Sequence, residues 1–167
     1  MMTEHFAQDW TDFFVTASGA AAALAGLVIV AMSVNINQIL KYSHLPARAG
    51  ATIGTLVLIL ISCMAGLINQ SMTAFGLEIL VFGICGWLLQ LWSVRRALVI
   101  GMEYGRPWHE AGLEIAMGQV QTLPFVIAGF LLLRGNSHGL GWMAAGVLAI
   151  FIFSILNAWV LLVEILR

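Results

Sequence analysis

Five apolar runs, each long enough to cross a lipid bilayer, constrain this chain more than any other feature of it. A spanning helix needs roughly 20 mostly apolar residues, because ~30 Å of hydrocarbon is crossed at ~1.5 Å per residue. Runs of that length lie at about 13–34, 49–68, 75–94, 112–133 and 141–166. Hydrophobic residues make up 61% of the 167 positions and charged residues only 9%, where soluble domains carry about a quarter charged residues. A globule this poor in charge cannot cover its surface against water, whereas acyl chains suit it. The expected fold is an all-α membrane protein, a bundle of five transmembrane helices forming one transmembrane domain over 1–167.

The fourth run is the weakest of the five. It carries Gln119, Gln121, Thr122 and Pro124, and proline breaks a helix whose freed backbone groups find no new partners. A four-span chain is the alternative. Five spans are favoured because Phe125, Val126, Ile127, Phe130, Leu131, Leu132 and Leu133 would otherwise face water, at a cost of several kcal/mol on the order of ~25 cal/mol per Å². Pro124 then becomes a candidate hinge.

The placement of basic residues sets an expected orientation. Lys41 and Arg48 flank the first connection, Arg95, Arg96 and Arg106 the third, and Arg167 ends the sequence. With five spans these six share one side and Arg134 stands alone on the other. The positive-inside rule puts the N-terminus outside and the C-terminus in the cytoplasm. Residues 1–12 hold Glu4, Asp9 and Asp12 but no Lys or Arg, unlike a secretory n-region, so the first run is expected to stay as a span. Trp10, Trp87, Trp92, Trp108, Trp142 and Trp159 are read as interfacial belt residues.

Small residues predict where helices touch, since helices in lipid associate through close packing and hydrogen bonds. Ser18, Ala22 and Gly26 recur every four residues in the first span, with Gly19 beside them. A helix this smooth belongs inside a bundle or at a subunit contact. Gly50 and Gly54 form a small-xxx-small pair in the second span, and Gly76, Gly83 and Gln90 are spaced by seven in the third. A homo-oligomer is expected from these faces.

Ionisable groups near the middle of a span are costly and by default functional, and none is found here. Glu78, Glu114 and Glu164 fall near predicted span ends, and His5, His44, His109 and His138 in termini or connections. No metal site and no cofactor is expected: haem wants histidines on facing helices, and 108–114 lacks zinc or di-iron spacing. Cys63 and Cys85 read as small apolar residues. The sequence holds no nucleophile elbow, phosphate-cradling loop or metalloprotease helix. Its basic residues are too few for nucleic-acid binding.

One polar group rises above this background. Ser33, Thr52, Thr55, Gln90, Gln119, Gln121 and Asn157 all fall in the cytoplasmic half of the expected bundle. Interhelical hydrogen bonding accounts for them; a cytoplasm-facing polar vestibule is the sharper reading.

The stretch Phe13-Phe14, then Gly19 through Val28, then Ser33-Val34-Asn35, with Arg48-Ala49-Gly50 beyond, resembles a group of small bacterial multi-span integral membrane proteins over roughly the first two helices. That resemblance implies a multi-pass protein of the bacterial inner (plasma) membrane, and transfers no site residues. The function expected is a non-enzymatic membrane subunit that self-associates, surrounded by membrane lipids, whose oligomer forms a channel or small-solute pathway. The alternatives are an accessory or regulatory subunit of a larger membrane complex, and an enzyme or lipid-binding protein using the 95–112 loop around Glu103, Arg106, His109 and Glu110.

Overall fold

The computed structural model describes residues 10–34, 36, 45–103 and 108–159. It is all helix: α1 Thr11–Val34, α2 Leu45–Gly66, α3 Met72–Glu103, α4 Trp108–Leu133 and α5 His138–Trp159. All five are long and apolar enough to cross a membrane. Each overlaps most of one of the five runs, α5 through its described part. α4 passes through Pro124 without interruption. The all-α, five-helix expectation therefore holds, and the fourth helix has full spanning length.

α3 differs most from expectation. Its 32 residues extend for about 48 Å, past the run 75–94 at both ends. Arg95 and Arg96 mark the end of apolar character, but neither glycine nor proline stands between them and Gly101. Charge ends the membrane segment there, and not the helix.

Two tight turns join four of the helices in pairs, α2 to α3 and α4 to α5, and side chains help close both. Ser71 caps α3: its Oγ accepts from the backbone N–H of Ala74 at 3.2 Å and its carbonyl from that of Phe75 at 3.0 Å, satisfying donors that a helix start leaves open. Gly135, at φ +72°, ends α4 in the left-handed conformation that glycine adopts freely. The N–H of Gly135 reaches Leu132 O at 2.9 Å, and that of Asn136 reaches Leu131 O at 3.0 Å, a Schellman closure. Asn136 then caps α5, its Oδ1 accepting from His138 N–H at 3.0 Å.

Consecutive helices from α2 to α5 pack as antiparallel hairpins, and α2 also meets α5, so these four close into a ring. α1 lies against α2 and α5. Phe14, Ile59, Phe75, Ile79, Phe125, Leu132, Met143, Val147 and Ile150 fill the interior, while Val30, Leu77, Leu88, Leu148 and Ile152 point outward. Large apolar side chains on the outer surface of several helices are what a bilayer accommodates and water does not.

Candidate functional site

Glycines set how closely the helices meet. A methyl group at Gly76 would sit 2.6 Å from Leu133 N, one at Gly129 2.5 Å from Leu80 N, and one at Gly83 3.0 Å from Val126 N. α3 and α4 thus touch backbone to backbone along the face that Gly76 and Gly83 define. Gln90 continues it, packing on Gly118, where a methyl would meet its Nε2 at 2.7 Å. α5 presents Gly139 and Gly146 to α4, against Ala128 O and the Phe125 ring. Gly54 faces Leu89. Among the contact residues read from sequence, Gly54 and Gly83 therefore join helices within the chain.

The other five do not. Gly19, Gly26 and Gly50 meet nothing within 4 Å, and Gly19, Ala22, Gly26 and Gly50 are exposed. Ser18 is partly exposed, its hydroxyl turned back onto Val15 O at 3.0 Å. α1 packs with its opposite side, through Phe14, Ala17, Ala21, Val28 and Ala31. The smooth face of α1 is not inside this bundle, because that side offers the larger Phe14 and Val28 to fill the space beside α2 and α5.

The polar residues concentrate at the face where α1 ends and α2 begins. Asn157 on α5 donates through Nδ2 to Thr52 Oγ1 on α2 at 3.0 Å. Thr55, one turn deeper, donates to Thr52 O at 2.9 Å. Trp87 on α3 donates through Nε1 to Gln119 Oε1 on α4 at 2.7 Å. Gln121 donates to Met117 O at 3.2 Å and Thr122 to Gly118 O at 3.0 Å, both within α4. Thr52, Thr55 and Gln121 are buried, whereas Ser33 is exposed and bonds its own helix at Ile29 O, 2.9 Å. Thr52, Asn157, Gln90 and Gln119 thus meet a neighbouring helix, Thr55 and Gln121 are buried and bond their own helices, and Ser33 is exposed.

Sequence reasoning missed three participants. Trp87 lies well inside α3 as the donor to Gln119. Its seven-residue offset from Leu80, which meets Gly129, marks it as facing α4. Ser154, buried on α5 with no partner for its Oγ, lies one turn from Asn157, and that spacing was the available signal. Glu78 does more than anchor at an interface: its Oε2 accepts from Gln70 Nε2 at 2.7 Å, and the same amide donates to Ala65 O at 2.9 Å. One amide so ties the carbonyl end of α2 to α3.

Cys63 is buried and Cys85 exposed, both as free thiols. The side chains of Glu103, Arg106, His109, Glu110, Glu114 and Glu164 lie outside the described residues. No family model, curated protein or solved structure matches this chain.

Proposed function

We propose that the chain is a non-enzymatic, multi-pass subunit of a bacterial inner membrane that self-associates through α1, with its N-terminus outside. The observation that carries this reading is a repeated glycine spacing that α1 leaves empty. Gly76 and Gly83 are seven residues apart and receive α4; Gly139 and Gly146 are seven apart and also receive α4. Gly19 and Gly26 are seven apart, with exposed Ala22 between them, and nothing lies within 4 Å of either. Small-residue faces let backbones approach in lipid, and acyl chains gain nothing from such a smooth surface. A second copy presents the same face, so a two-fold pair covers both at once.

Native mass spectrometry of the full chain in detergent tests this. Wild type should give a dimer or higher oligomer, and Gly26→Leu should give monomer with its helix content intact. A monomeric wild type, or an oligomer indifferent to Gly26→Leu, refutes it. The small-solute pathway extends the same reading: liposomes holding the oligomer should conduct, and those holding Gly26→Leu should not. Purification only with a larger membrane partner would favour the accessory reading instead.

A further inference from the structure

The seam between α2 and α5 contains a polar atom that its packing leaves unanswered. Ser154 is 1% exposed, and its Oγ has no hydrogen-bond partner. Buried hydroxyls are nearly always satisfied, by protein or by water. What lies opposite follows from register. α2 and α5 run antiparallel, each reversing direction through the hairpins between them, and Asn157 meets Thr52 at 3.0 Å. Three residues along a helix return to nearly the same face one turn away. Stepping back from Asn157 to Ser154 and on from Thr52 to Thr55 brings those two hydroxyl residues opposite each other, one turn deeper.

Thr55 is 3% exposed, and its hydroxyl proton is committed to Thr52 O at 2.9 Å. A hydroxyl oxygen that donates once still accepts, so Thr55 Oγ1 keeps acceptor capacity beyond its bond to Thr52 O. Ser154 does not reach it directly. Two polar groups across one seam and beyond direct reach are the arrangement in which water bridges. The place suits water as well: Ser154 lies one turn from Asn157, whose amide already meets Thr52 across the same seam.

We infer that a single buried water bridges Ser154 Oγ and Thr55 Oγ1, continuing the Asn157–Thr52 contact one turn deeper. This site is independent of self-association, since it lies within one chain. The competing account turns the Ser154 hydroxyl back onto its own helix at Ile150 O, as serines in helices do, and needs neither water nor Thr55.

A double-mutant cycle on the full chain in detergent micelles separates the two, using Ser154→Ala and Thr55→Val. Both variants preserve shape closely enough to fold. The loss of the Thr55–Thr52 bond occurs in both backgrounds and cancels in the cycle. With a bridging water, each single variant lowers the unfolding midpoint and the double variant is no less stable than the worse single one. X-ray radiolytic labelling in ¹⁸O-water should mark α5 side chains beside Ser154 in wild type and lose that mark in either single variant. Additive losses, or a seam left unmarked in wild type, overturn the inference.

Discussion

Gly129→Ala is the substitution that most directly tests whether α3 and α4 are held by contact between backbones. The added methyl would lie 2.5 Å from Leu80 N, 2.6 Å from its Cα and 2.7 Å from its Cβ. Ordinary carbon contacts lie at about 3.5–4.0 Å, so the helices must part by about 1 Å. Leu80 cannot turn a main-chain atom aside as it could a side-chain end. Overpacking of this kind costs ~1–3 kcal/mol, and the upper end applies because Gly76 and Gly83 lose their contacts on the same seam. Near ~3 kcal/mol the ratio of folded to unfolded protein falls about a hundredfold. The control is Gly112→Ala, where the methyl enters open space and helix propensity alone favours alanine by ~0.5–1 kcal/mol. Reversible unfolding in mixed micelles reads both. A Gly129→Ala protein as stable as wild type would refute the close approach of α3 and α4, and with it the argument that glycine spacing marks helix contacts here.

Three further outcomes are expected. Gln119→Met, which removes the acceptor for Trp87 Nε1, should cost ~0.6 kcal/mol and at most ~2 kcal/mol, the range for interhelical hydrogen bonds in membranes; a larger loss in the same unfolding assay would mean that the pair does more than join helices. Gln70→Ala, which frees both Glu78 and Ala65 O, should destabilise by ~1–2 kcal/mol and speed amide exchange at 67–71; Glu78→Gln retains an acceptor and should do less, and equal effects would break the argument. Reporters at Ser137 and at the C-terminus should fall on opposite sides of the membrane, with the C-terminal one cytoplasmic; both on one side would overturn the five-span topology.

Helix number and type were legible because apolar length is a property of the sequence alone. The residues 75–94 could not reveal where α3 stops, since a helix continues through Arg95 and Arg96 wherever its backbone bonds can form. Contacts were readable only where spacing meets its partner inside the chain. Gly76, Gly83 and Gln90 share a face and all three meet α4; Ser18, Ala22 and Gly26 share a face just as clearly and meet nothing in this bundle. Periodicity fixes which residues lie together on one helix, but not which helix arrives there. The Asn157–Thr52 pair shows the same limit: both belonged to the predicted polar group, while their pairing across 105 positions depends on α2 meeting α5 to close the ring.

The two kinds of adhesion sit at opposite ends of the bundle, and they differ in stiffness. Toward the α2–α3 and α4–α5 turns, Gly76, Gly129 and Gly139 press against backbone, and Gly66 against the Phe14 ring. Toward the other face, Gly54, Gly86 and Gly118 meet side chains, those of Leu89, Leu58 and Gln90, and not backbone, and the helices are joined by Asn157–Thr52 and Trp87–Gln119. Close packing has one geometry, whereas membrane hydrogen bonds contribute ~0.6 kcal/mol on average because their groups readily find other partners. The polar end is therefore the one that opens first. In micelles, amides of 52–56 in α2 should exchange faster than those of 62–66, although the latter lie at the helix terminus, where fraying alone would make them faster. Exchange in the order that fraying gives would show that glycine contact does not stiffen this end.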